Sequence, residues 1–166
     1  MVAHIVVAYD DSAGARLALA KAVELVRALG PAAATLLAVA VDESGNDDPM
    51  SYIGGGDGVD TSDDDGATTL GHTVSHGHGH SHGHGHPECR AWLEDASQYA
   101  RKHGVSIKTE IRAGLPSGQL LAAARAANAD LLVIGHSKHP TMRNRVVGST
   151  AERVARHSFC SVLIAR

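Results

Sequence analysis

Imidazole is the reactive group this chain carries at its greatest density. His76, His78, His80, His82, His84 and His86 alternate with Gly77, Gly79, Ser81, Gly83 and Gly85, and His72 stands just upstream. In an extended segment alternate side chains share one side, and the glycines let the backbone close around an ion. Neutral imidazole ligates Zn²⁺, Ni²⁺, Co²⁺ and Cu²⁺. Three or four of these histidines form a ligand set, with Asp63, Asp64, Asp65 or Cys89 as further donors. Several overlapping sets are available, so the tract implies affinity without one fixed geometry. It is internal and interrupted, unlike a terminal run of histidines added for purification. A solvated spacer with incidental metal affinity has the same composition, so both readings stay open. Protonation near the reference histidine pKa of about 6.5 moves the charge of the surrounding segment from −7 towards neutral.

A second constellation is suited to anions. Gly148-Ser149-Thr150 puts backbone N–H groups and two hydroxyls where a helical pattern begins, and the helix dipole favours negative charge there. Gly135 ends an apolar run and allows close backbone approach, while Lys138, Arg143 and Arg145 lie between the two glycines and supply charge-assisted donors. Asp10-Asp11-Ser12 ends another apolar run. Its oxygens can meet a ligand, or simply cap the helix that follows. The chain contains neither GxxxxGK[ST] nor GxGxxG, which argues against a P-loop ATPase and a dinucleotide dehydrogenase.

These residues need a scaffold, and the apolar pattern describes one. Residues 4–9 (HIVVAY) form a short buried strand, followed by a helix from Ala13 to Leu29 that Gly30-Pro31 stops. Thr35–Val41 is a second strand. A helix over Arg90–His103 ends at Gly104, and the alternation in Val105–Ile111 (VSIKTEI) predicts an edge strand. Pro116-Ser117 opens a third helix to Ala127, Leu131–Ile134 is the fourth strand, a fourth helix runs from Gly148-Ser149 to about His157, and Val162–Ala165 is the last strand. Short apolar strands alternating with helices predict right-handed crossovers and an open, doubly wound parallel sheet covered on both faces. With the order 3-2-1-4-5, the ends of the first and fourth strands become neighbours, at the switch point where such sheets bind ligands. Asp10 and Gly135 would then share one crevice.

Residues 44–86 break the pattern. They hold seven Asp, seven His and no Lys or Arg, and are too poor in hydrophobic residues to offset the entropy of ordering, so a mobile inserted loop is expected within a single domain of 166 residues. Outside them eleven acidic residues face fifteen basic ones, a formal charge of +4, which suits a small anion. It is no basic stripe, and five aromatics make no base-stacking platform, so no nucleic-acid partner is expected. No apolar run approaches the ~18 residues of a membrane span, and the N-terminus lacks the pattern of a signal peptide, so no membrane partner and a cytoplasmic location are expected. Cys89 and Cys160 form no CxxC and are read as reduced thiols, with Cys160 buried and inert.

The stretches IVVAYDDS, TLLAVAVD, AGLPSGQLLAAARAANADLLVIG and VVGSTAERVARHSFCSVLIAR resemble, in order, the strand, helix and phosphate-loop segments of the universal stress protein family. The ATP-binding branch of that family is marked by Gly, two residues, Gly, nine residues, then Gly with Ser or Thr. Gly135, Gly148 and Ser149 match, and Lys138 replaces the middle glycine. Lysine is strained there if the turn needs φ > 0; if it does not, the ammonium meets a phosphate directly. The resemblance implies ATP with Mg²⁺, Asp10 and Val39 at the adenosine end, and Gly135, Gly148, Ser149 and Thr150 at the phosphates, with Lys138 as a further candidate. It also implies a homodimer, for which the last strand gives a physical reason: Val162, Leu163 and Ile164 lie on an apolar sheet edge best covered by a second copy. Two function classes follow: a nucleotide-binding stress or signalling module with at most weak ATP hydrolysis or autophosphorylation, and a metal-buffering or metal-responsive protein on the same fold. A receiver-type phosphorylation switch fails, because the third strand ends in IRAG with no acceptor aspartate.

Overall fold

The computed structural model describes residues 3–43, 87–136 and 148–166. Within them five strands and four helices alternate: β1 (Ala3–Ala8), α1 (Ala13–Leu29), β2 (Ala34–Asp42), α2 (Pro87–Lys102), β3 (Lys108–Ala113), α3 (Pro116–Ala126), β4 (Leu131–Gly135), α4 (Ser149–His157) and β5 (Ser161–Ala165). All strand pairs are parallel and the order is β3-β2-β1-β4-β5. The doubly wound sheet expected from the sequence is the one observed.

Alternation along β1 divides the core in two. Ile5, Val7 and Tyr9 enter a cluster with α1 and α2, whereas Val6 points to the opposite face and packs with Leu120, Ala151 and Val154 of α3 and α4. α1 buries Ala15, Ala18, Leu19, Ala22, Val23 and Val26, the three-and-four spacing of one helix face. Each of its larger apolar side chains contributes about 1.5–3 kcal/mol by leaving water. The helix stops at Gly30, whose φ of 92° suits a residue without Cβ and whose N–H donates to Val26 O at 2.9 Å.

Two sequence expectations shift. β3 begins at Lys108, not Val105, because residues 103–105 still finish α2: Gly104 has φ 72°, and Val105 donates to Ala100 O at 3.0 Å with its side chain in the core. Cys160 is half-buried in the turn before β5, where its N–H and its carbonyl both meet Ser158 Oγ; the fully buried thiol is Cys89 on α2. No helix among the described residues is long and apolar enough to cross a membrane.

Candidate functional site

The β1 ladder continues one residue past the strand, with Tyr9 N–H donating to Val39 O at 2.9 Å, and the chain then turns sharply through Asp10, Asp11 and Ser12. Asp10 Oδ1 accepts the Ser12 N–H at 3.1 Å. Ser12 is the N-cap of α1: its Oγ accepts the Ala15 N–H at 3.2 Å and its carbonyl the Arg16 N–H at 2.9 Å. The capping reading of this run is therefore realised, by Ser12, and Asp10 remains exposed at the end of β1. Asp11 takes the left-handed conformation, φ 59°, and its Oδ1 accepts Arg16 Nε at 2.9 Å and Nη2 at 2.8 Å. Tyr9 is buried beneath. Burial pushes its phenol above the ordinary value of 10.0, the Asp11 carboxylate adds to that, and Arg16 opposes it.

Gly135 ends β4, and its lack of a side chain has a structural cause. A Cβ there would run into the Gly14 carbonyl group and the Ala15 nitrogen. On Gly14, reciprocally, a Cβ would stand 2.5 Å from the His136 carbonyl oxygen. The first turn of α1 thus lies directly on the end of β4, and His136 continues the sheet by donating to Ala165 O at 2.8 Å. This contact brings the Asp10 turn and Gly135 together, as the strand order requires.

α4 begins differently from α1. Its N-cap is Gly148, at φ −63° and ψ 152°, with no side-chain cap on the first-turn N–H groups. Glycine is not required there for backbone conformation, since any residue adopts that φ. Ser149 is exposed, Thr150 half-buried, and Glu152 in the same turn is paired with Arg156 at 3.2 Å. α3 also starts without a side-chain cap, but it has Pro116 in its first turn, and proline offers no N–H to an anion.

Val39 sits inside β2, three residues before the strand ends at Asp42. Its side chain is 1% exposed in the α3/α4-side core and its carbonyl accepts the Tyr9 N–H, so what it offers a ligand is limited to the strand around it. Lys138, Arg143 and Arg145 lie outside the described residues, as do the whole of 44–86 and the histidines His72, His76, His78, His80, His82, His84 and His86. Among the described residues no group of three or more His, Cys, Asp or Glu could hold a metal ion. Sequence reasoning missed Gly14 and Arg16. A glycine in the first turn of an otherwise alanine- and leucine-rich helix was the available signal for the former. Arg16 is five residues from Asp11, a spacing that no helical pairing rule selects.

A solved universal stress protein from Archaeoglobus fulgidus superposes with a TM-score of 0.66 at 19% identity, covering 100% of both chains. A family protein from Arabidopsis thaliana, solved with AMP bound, gives 0.60 at 16% identity over 98% of this chain and 90% of that one. At such identities the likeness is one of fold. A universal stress protein of Methanocaldococcus jannaschii is 32% identical over 74 residues, 45% of this chain and 44% of its own. The chain spans about half the length of the curated relatives it matches. The model described as the universal stress protein family matches residues 1–166, and this chain belongs to that family.

Proposed function

We propose that the chain is a stress-response or signalling module that binds an adenine nucleotide, ATP with Mg²⁺, in the crevice beyond the ends of β1 and β4. The observation that carries this reading is the pairing of a closed and an open helix start. Ser12 caps α1, while α4 starts at Gly148, which has no side chain with which to cap its first N–H groups. Such N–H groups, with the Ser149 and Thr150 hydroxyls and the positive end of the dipole, suit the oxygens of a phosphate. Asp10 stands at the adjacent turn, where a carboxylate accepts hydrogen bonds from a nucleoside, and Val39 lies behind it in the sheet. Gly135 contributes by letting α1 seat on β4. Lys138, which lies outside the described residues, is a further candidate for a phosphate contact through its ammonium. Mg²⁺ supplies charge neutralisation of the triphosphate when bound. AMP in the Arabidopsis structure supports the ligand class. Calorimetry with ATP and Mg²⁺ tests the reading. Gly148→Val should weaken binding at least tenfold without unfolding the protein, because φ −63° accepts valine while its side chain blocks close backbone approach. Absence of heat at millimolar ATP, with no displacement of a fluorescent ATP analogue, would remove the nucleotide reading.

The histidine tract supports a second reading on the same fold, metal buffering through Zn²⁺ or Ni²⁺ held by His72 and the alternating His76–His86. Saturable, stoichiometric Zn²⁺ uptake by a protein that takes up no ATP would favour it.

A further inference from the structure

We propose that Arg16 is a positioning residue: it clamps Asp11 in the left-handed conformation and thereby sets where the Asp10 carboxylate stands. The inference rests on the nucleotide reading above and names a residue that this reading leaves unused. Among the described residues only Asp11 and Asn128 have positive φ without being glycine. An L-residue is disfavoured there because Cβ crowds the following carbonyl. Asp11 stays at φ 59° while its Oδ1 is met by two nitrogens of one guanidinium, at 2.9 and 2.8 Å. Arg16 is itself anchored, since its backbone N–H donates to Ser12 O at 2.9 Å in the first turn of α1. The clamp therefore ties the helix to the residue between Asp10 and Ser12.

Released, Asp11 would return to negative φ. That rotation re-aims Asp10 and breaks the 3.1 Å bond from Ser12 N–H to Asp10 Oδ1, which orients the carboxylate. Global stability is not what the pair supplies: the Arg16 side chain is 63% exposed and that of Asp11 30%, and exposed ion pairs contribute little to folding. Aspartate is one of the few L-residues that enter the left-handed region readily, because its short polar side chain bonds locally, so a pair of this size can decide the local conformation without bearing on the fold.

The test compares Arg16→Met with the double variant Arg16→Met/Asp11→Gly, because glycine enters the left-handed region without a clamp. Two quantities are measured: ATP affinity by calorimetry with Mg²⁺, and hydrogen exchange of the Ser12 amide in the nucleotide-free protein by NMR. Arg16→Met should weaken ATP binding about three- to tenfold, the population shift available to a residue in a sparse backbone well, and should speed Ser12 exchange. The double variant should recover most of both. If Arg16 acted only through its charge, the double variant would bind as weakly as Arg16→Met, and the proposal would be overturned. Unchanged Ser12 exchange in Arg16→Met overturns it as well. If the unaltered protein binds no ATP, the nucleotide reading falls, while loss and recovery of Ser12 protection still uphold the clamp.

Discussion

Gly14 and Gly135 meet backbone to backbone, and neither partner has a flexible side chain that could move aside. Gly135→Ala is expected to lower stability by about 1–3 kcal/mol or more, the range for overpacking a closed site, measurable as a lower urea midpoint at unchanged slope. Gly148→Ala should leave the midpoint nearly unchanged, since its backbone is ordinary. Two buried ionisable groups set the alkaline limit. The Cys89 thiol is pushed above 9.0 by burial first, then by the carboxylates of Asp42 and Glu88. Tyr9 is pushed above 10.0 by burial and Asp11. In both cases the folded protein holds the proton more tightly than the unfolded chain. The contribution of Cys89 is therefore complete below pH 9.0 and that of Tyr9 below pH 10.0, and each is lost as pH rises from there through its raised folded value. Melting temperature should fall from pH 9.0 upwards, and Cys89→Ala should remove the earlier part of the fall. A slope that is the same in Cys89→Ala would exclude this thiol as its source.

The two edge strands differ in the way that decides which one can meet a partner. β3 carries Lys108, Glu110 and Arg112, with Arg112 Nη2 on Glu110 Oε1 at 2.8 Å, and charges along an edge discourage further pairing. β5 shows half-buried Val162, Leu163 and Ile164, and Phe159 just before it is 50% exposed under the Arg125 guanidinium. We propose that β5 pairs with a second copy of the chain. A stable dimer buries about 800 Å² per partner, more than three side chains supply, so Phe159 is expected within the contact. Light scattering should report a dimer for the unaltered protein and a monomer for Val162→Lys, whose stem can still cover the core while its ammonium reaches water. A monomer at every concentration of the unaltered protein would contradict the pairing.

For the molecule as a whole, folding and metal uptake are expected to be separable. The sheet and both core clusters are built by residues that flank 44–86, a segment poor in the hydrophobic residues a core needs. Deleting His72–His86 should abolish most Zn²⁺ or Ni²⁺ binding and leave the melting temperature of the metal-free protein within about 2 °C, because loop length enters stability only logarithmically. Metal affinity of the intact chain should decline as pH drops through about 6, where imidazole protonates. Full affinity in the deletion variant, or its failure to fold, would show the tract has been assigned the wrong role.

What the sequence determined by itself is what local physics encodes. Apolar runs of strand length, three-and-four periodicity in Ala15–Val26 and the stop at Gly30 each act within a few residues, so the alternation of five strands and four helices was legible, as was the charged edge character of the third strand. Asp10, Gly135 and Gly148 could be singled out as ends of elements for the same reason. The tertiary structure decided how those ends are used. Gly135 is glycine because α1 presses its Gly14 against it, a contact between residues over a hundred positions apart that no local pattern contains. Val39 stands within the second strand in the sequence and in the structure alike, but only the pairing of the strands shows that its carbonyl is taken by the Tyr9 N–H. The start of β3 moved because Val105 found more burial in closing α2 than in pairing. Arg16 could be linked to Asp11 only once the left-handed turn existed, since the same two residues on a continuous helix would point apart.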